Sequence, residues 1–422
     1  GTLTCNASAV SFGQQILSSA SYGLHLTSGT FTGGTGTHTI SIFYQTGGTC
    51  TLTSGTTTMN GYQTSGAYSF KKEGGTFTQT AGTVDMTNTS AQVIQLSSNP
   101  TFFNLTLSGG RVLSVYNWDT SRTITVAGAL TISTGTTFNT QYQALAANIL
   151  NVTGSVTLNG KLEAHNSTDG TVSDEKDLSF GSLTIASGGE YSATKGTTTC
   201  KGNVNVKSSG TFTHNDGTFL WENTTGDSIT GFGAGAPAFY NLEISSSTSN
   251  DIFPEWDFTV RNVFDTNGQQ IWIHPNSRDV TITMGFSDAT AVSTGATTAG
   301  LKTGGYINST LKAYQNHLND IKLYGASELY PAKLADAWLT FTHTSQADCT
   351  WYIKNFNVQS AFNTTYTAKT GSNAIVILDG PCEFAAVTVT AGDTLDLNGN
   401  RMECSATLTN AGTIDVDGGL VF

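Results

Sequence analysis

The chain has 422 residues, with 30 acidic against 18 basic side chains for a formal net charge of −12, and only 11% of its residues are charged. That balance excludes a nucleic-acid-binding surface, because neutralising phosphates needs a basic stripe and the Lys and Arg residues here are scattered. With 72 Thr and 47 Gly and no apolar run long enough to span a bilayer, the composition favours short β-strands broken by tight bends.

The first residues, Thr2-Leu3-Thr4-Cys5, are strand-like. They follow Gly1 with no initiator Met or signal-like segment, which fits either an exported protein whose leader has been removed or a chain trimmed at its start. From residue 74 the chain sets out a phrase that it later repeats. Residues 74–132 carry Gly75-Thr76-Phe77-Thr78, Gly82-Thr83-Val84, Phe103-Asn104-Leu105-Thr106-Leu107, Trp118-Asp119 and Thr123-Ile124-Thr125-Val126. Residues 209–266 answer in the same order with Gly210-Thr211-Phe212-Thr213, Gly217-Thr218-Phe219, Tyr240-Asn241-Leu242-Glu243-Ile244, Trp256-Asp257 and Phe258-Thr259-Val260. Equivalent residues lie about 135 positions apart, so whole supersecondary blocks recur and the chain reads as a solenoid.

A finer beat runs inside the blocks. Alternating triplets at Leu130–Ile132, Val156–Leu158, Leu183–Ile185 and Val204–Val206, and later at Val387–Val389 and Ala406–Leu408, are spaced by roughly 19 to 27 residues, which suits one coil of a parallel β-helix. One face of each strand points inward and the Thr, Asn or Asp face points out. Phe31, Phe77, Phe138, Tyr191 and Phe212 follow Gly or Thr at like positions and predict a single internal aromatic stack. The segment 268–380 departs from the pattern. Within it, Thr310 to Ser327, with Leu311, Tyr314, Leu318 and Ile321, is the one stretch spaced as a helix.

Candidate chemistry is sparse. Neither a phosphate-binding loop nor a nucleophile elbow nor a zinc-protease motif is present, so neither an enzyme class nor a cofactor is expected. Two acidic groups are weighed as glycosidase-like sites, which need two carboxylates across a groove with an aromatic platform. Asp251, Glu255, Trp256 and Asp257 form a candidate glycan groove, though the Trp-Asp pair recurs at Trp118-Asp119 and so reads more simply as a turn device. Glu163, His165, Asp174, Glu175 and Asp177 read as a solvated loop. Asp393, Asp396, Asp415 and Asp417 alternate near turns, where a calcium site competes with simple exposure. Cys382 and Cys404 lie about one coil apart, within reach of a disulfide if the coils stack in line. Eight Asn-x-Ser/Thr triplets are about as many as a chain this rich in Ser and Thr supplies by chance.

The Gly-Thr-Phe-Thr, Gly-Thr-Val and Phe-x-Asn-Leu-x-Ile pattern resembles the repeats of large secreted or surface-displayed β-solenoid proteins of bacteria and archaea, adhesin-like proteins among them, and of structural proteins of environmental phages. The resemblance covers about half of the chain and implies an architecture and an extracellular, cell-surface or virion setting, with no catalytic residue carried over. The expected fold is therefore all-β, a single elongated right-handed parallel β-helix over residues 1–422 with loop insertions; tandem β-sandwiches are the competing architecture. The expected function is a non-enzymatic structural protein that self-assembles into, or is displayed on, a fibre. A solenoid leaves an open strand edge at each end, and Thr2, Leu3, Leu420, Val421 and Phe422 are the candidate edges for a homo-oligomer. Surface glycans are the alternative partner, bound by an adhesin or cleaved by a tailspike-like depolymerase.

Overall fold

A computed structural model describes residues 1–13, 15–17, 20–61, 68–87, 89, 92–116, 121–140, 148–164, 176–223, 229–246, 252–273, 280–284, 306–313, 321–325, 333–334, 339–343, 350–357, 361–364 and 375–422. The protein is all-β, its strands stacked in parallel as a β-solenoid. Tandem sandwiches would need antiparallel Greek-key pairing; among the described residues the antiparallel pair is the small one of Gln15–Leu17 with Ala20–Tyr22. The chain groups into two compact units, Gly1–Gly217 and Thr218–Phe422.

In the first unit the strands of successive coils stack into separate parallel sheets. One face is a four-stranded sheet of Thr2–Thr4, Thr30–Thr32, Thr49–Thr51 and Thr76–Thr78. A second is a nine-stranded sheet running from Leu24–Leu26 to Thr211–Thr213. The third carries the triplets singled out by their spacing, which are neighbours: Leu130 faces Val156, Val156 faces Leu183 and Leu183 faces Val204. Period-2 alternation explains the ladder. A residue that points inward in one coil stacks on an inward residue of the next, so Ile40, Met59, Met86, Leu107, Ile132, Leu158, Ile185 and Val206 form one continuous buried file.

The faces meet through aromatic rings. Phe70 of the nine-stranded sheet, Phe77 of the four-stranded sheet and Phe102 of the strand Thr101–Phe102 are mutual neighbours, with centroids 5.4, 5.5 and 5.3 Å apart around the triangle. The single aromatic stack expected from sequence is in fact two files. Phe31 and Phe77 flank Cys50 in the four-stranded sheet, while Phe138, Leu162, Tyr191 and Phe212 follow one another in the nine-stranded sheet. The same local phrase, Gly-Thr-Phe-Thr, thus serves two faces, because it encodes a bend followed by a strand and not a position around the coil.

Two buried polar residues shape the corner between these sheets. Gln45 and Lys72 are register partners on consecutive coils and both point inward. Gln45 Nε2 donates to the carbonyl oxygens of Gly47, Gly48 and Thr76. Lys72 Nζ donates to those of Gly74 and Gly75 and to Ser98 Oγ. Both donate to carbonyls of the glycine corner, and the Gly48 oxygen also accepts the Thr76 N–H of the next coil. Gly75 itself has φ +71°, and a Cβ there would lie 2.6 Å from the Gly47 carbonyl carbon of the preceding coil. The corner therefore needs glycine for both backbone conformation and coil spacing.

The second unit continues in the same style. Phe219, Leu242 and Phe264 are stacked by the strands Thr218–Asn223, Ala238–Ser246 and Phe258–Ile273, and Phe232 packs against Trp221, Phe239 and Phe258 at 4.7, 5.0 and 4.9 Å. Described strands of the segment 268–380, which departs from the sequence repeat, take part in the parallel ladder too: Val280–Met284, Ile321–Gly325, Thr350–Lys354 and Ile375–Leu378 pair in succession. The helix expected over Thr310 to Ser327 is overturned. Tyr306–Ala313 and Ile321–Gly325 are strands, residues 314–320 lying outside the described part. In Ile321-Lys322-Leu323-Tyr324 alternate residues are buried, a period of two that cross-strand pairing favours over the weaker helical spacing.

Candidate functional site

The acidic residues weighed as a glycan groove are placed between Ile252–Pro254 and Phe258–Ile273. Glu255, Trp256 and Asp257 are each half-buried, and Asp251 lies outside the described residues. Asp257 Oδ1 accepts the backbone N–H of Thr281 at 2.7 Å, 24 residues further on, and the Glu255 amide donates to the Gly231 carbonyl. The Asp257 carboxylate thus anchors the start of the next coil's strand. The device recurs in the first unit, where Asp177 Oδ1 accepts from Thr197 N, Asn99 Oδ1 from Thr123 N and Asn104 Oδ1 from Ala129 N, at 2.7, 3.0 and 2.8 Å. Each oxygen receives an N–H from within a strand of the neighbouring coil or from the residue just before one, at ordinary hydrogen-bond distance. Trp118-Asp119, the counterpart in the first block, is outside the described residues.

The other acidic groups are occupied in similar ways. Glu163 accepts from Asn139 Nδ2 at 3.0 Å and pairs with Lys161 at 3.3 Å, and Lys161 also reaches Glu190 on the next coil at 3.8 Å. His165, Asp174 and Glu175 are outside the described residues. Asp393 is buried and bonded to the Thr390 hydroxyl, while Asp396 accepts the Asn398 N–H in a turn. Asp396 and Asp415 are register partners. Among the described residues, no group of three or more His, Cys, Asp or Glu has a geometry that would hold a metal ion.

Cys382 and Cys404 sit on adjacent strands but two places out of line: Cys382 faces Met402, and Cys404 faces Phe384. Both are free thiols, so the expected bridge is absent: the coil here is two residues shorter than the spacing of the two cysteines, and the pairing holds one register from Cys382 to Phe384. Burial pushes the Cys382 thiol up to about 12, leaving it protonated and unreactive at neutral pH.

Two clusters that sequence reading missed lie on outward positions. In the first unit, His25, Tyr44 and Lys71 follow one another in register on three coils. The His25 and Tyr44 rings stack at 4.5 Å, and Lys71 Nζ lies 4.8 Å from the Tyr44 centroid and 5.3 Å from that of Tyr68. Glu73 closes the group, accepting from the Tyr44 hydroxyl and pairing with Lys71 at 2.7 and 2.8 Å. Partial burial raises the Glu73 carboxyl, but the bonds from Lys71 and Tyr44 outweigh it and hold the group below the usual carboxylate range. In the second unit, Tyr324 and Lys354 are register partners and so are Lys322 and Tyr352. Lys354 Nζ stands 4.1 Å over the Tyr324 ring, whose hydroxyl donates to Asp379 Oδ2 at 2.8 Å. An aromatic face with a cation and a carboxylate beside it has the elements of a polar-ligand platform. The signal was alternation within strands, but only the register shows which outward residues become neighbours.

The strand edges expected for self-contact are exposed. Thr2–Thr4 pairs on one side, with Thr30–Thr32, and Leu420–Val421 pairs with Arg401–Asn410. Leu3, Leu420 and Phe422 are 49, 59 and 64% exposed, and Val421 is exposed too. No helix among the described residues is long and apolar enough to cross a membrane. Comparison with protein-family models, curated proteins and solved structures finds no match.

Proposed function

We propose that this chain is a non-enzymatic structural protein of an extracellular or virion surface, which self-assembles into, or is displayed on, a fibre. The observation that carries this reading is where the polar side chains go. Asp177, Asn99, Asn104 and Asp257 hold the next coil's backbone, and Gln45 and Lys72 hold the corner carbonyls. Candidate groups for chemistry thus serve the stacking of coils. A low charge content with an acidic excess suits a displayed, hydroxyl-rich surface. The repeat pattern's resemblance to surface and phage solenoids points the same way.

Assembly runs through the strand edges at Leu3 and at Leu420–Phe422, since an unpaired parallel edge templates a further strand and a head-to-tail contact that does not close propagates. Mass photometry and negative-stain microscopy across a concentration series test this. Fixed oligomers or filaments, lost in a Leu420→Glu/Phe422→Glu double variant, are the expected result. Single particles near 44.3 kDa at every concentration would overturn self-assembly. A second reading, a glycan-binding adhesin, is favoured by the Tyr324–Lys354–Asp379 platform. Binding on a glycan array that disappears in Tyr324→Ala would support it.

A further inference from the structure

The four-stranded sheet of the first unit has an outer face made of one residue type. Its strands read Thr2-Leu3-Thr4, Thr30-Phe31-Thr32, Thr49-Cys50-Thr51 and Thr76-Phe77-Thr78. They pair without a register shift: Thr2 on Thr30, Thr30 on Thr49 and Thr49 on Thr76, with Thr4, Thr32, Thr51 and Thr78 aligned in the same way. The central residues Phe31, Cys50 and Phe77 point inward and are buried. Eight threonines therefore form two files in register on a sheet backed by Phe31, Cys50 and Phe77. Rungs recur at about 4.8 Å along each file, and the files are separated by about 6.7 Å, two residues of a strand.

Three properties narrow what such a face meets. It carries no charge and no aromatic ring among its outward residues, so neither an ionic partner nor a sugar ring stacked on a platform fits it. No large apolar side chain projects from its outward positions, Leu3 being in register with the inward Phe31 and exposed at the sheet's edge, so the face lacks the usual anchor of a protein interface. Among the described residues none of the eight hydroxyls finds a partner, although Thr53, Thr140 and Thr194 elsewhere in the same unit do. β-branching holds each side chain to few rotamers, so methyls and hydroxyls repeat in two dimensions with little freedom. A partner that matches must itself be a lattice of small hydrogen-bonding units with a similar repeat.

We propose that this threonine lattice is an ice-binding face. The rung spacing is close to the repeat of equivalent oxygens along an axis of hexagonal ice. Hydroxyls at fixed positions hold a first water layer by hydrogen bonds, and the methyls between them restrict where those waters sit. Water ordered in this way joins the growing ice lattice, and the protein adsorbs by the face as a whole, with the charge-free surface leaving no competing hydration shell.

The test uses the full chain and ice itself. Partition of the protein into a slowly grown ice hemisphere is measured together with freezing-point hysteresis, for the natural sequence, for Thr32→Lys/Thr49→Lys, for Thr49→Val, and for Thr131→Lys. Thr131 is an outward residue of a different sheet and serves as the control. Enrichment in ice of several-fold over a non-binding protein is expected, retained in Thr131→Lys, reduced in Thr49→Val and abolished in the double lysine variant. Thr49→Val keeps the β-branched shape, so it remains informative if the lysine variant folds poorly. Exclusion of the natural protein from ice, enrichment that survives both substitutions within the lattice, or equal loss in Thr131→Lys would each overturn the proposal.

Discussion

Phe70→Ala tests whether the three faces of the first unit are joined by packing of rings across the interior. Phe70 is fully buried; its ring stacks on Phe43 at 5.0 Å and meets Phe77 and Phe102 at 5.4 and 5.3 Å. Truncating a buried Phe to Ala costs about 3–5 kcal/mol, and ring pairs add roughly 0.5–1.5 kcal/mol each. With three such pairs lost, the upper end, about 5 kcal/mol, is expected, whereas Phe70→Leu, which keeps most of the volume, should cost no more than roughly 1.5 kcal/mol. Because coils of a solenoid support mainly their neighbours, the loss should be local. Urea denaturation gives the magnitude and hydrogen exchange gives the place: amides of Phe43–Gln45, Tyr68–Lys72 and Thr76–Thr78 should lose protection first, while Val204–Val206 keeps it. A loss below about 1 kcal/mol, or protection falling evenly along the unit, would refute the role assigned to the triangle.

Two further substitutions probe buried polar groups. Lys72→Gln should be tolerated, since Gln45 satisfies the equivalent corner one coil earlier; Lys72→Met should destabilise by about 2–4 kcal/mol by leaving the Gly75 carbonyl and Ser98 hydroxyl without their donor. Equal denaturation midpoints for the two variants would show that the corner does not need a donor. His38 stands in an inward position between Val10 and Thr57, fully buried with the Phe31 ring beside it, and burial lowers its pKa despite an opposing contact with the Ser8 backbone. Its proton is therefore taken up more readily by the unfolded chain, whose imidazole titrates near 6.5. Stability should be full above that pH and decline as pH falls below it toward the folded value. His38→Leu should flatten that part of the profile in denaturation series between pH 8 and pH 5, and an unchanged slope would exclude His38 as its source.

Much of the fold was legible from the order of residues alone. Alternation in Leu130–Ile132, Val156–Leu158, Leu183–Ile185 and Val204–Val206 is local, since a strand with one buried face must alternate, and its recurrence at nearly one coil length implies stacking; these four are indeed successive rungs. The corner glycines were readable for the same reason, because bends and strands are encoded within a few residues. What the sequence could not determine was lateral position. Coils differ in length, so the same phrase lands on different faces at Thr76–Thr78 and Thr211–Thr213, and a coil two residues shorter than the Cys382–Cys404 spacing sets Cys382 against Met402. Only the register, set jointly by buried side chains and loop lengths, brings His25 onto Tyr44 and Lys354 onto Tyr324 and turns Asp257 into an anchor for Thr281. The eight threonines are visible to any reader of the chain as four Thr-x-Thr triplets; that they form one aligned lattice is a property of the stacked coils, since a shift of a single residue in any one of them would turn its threonines inward.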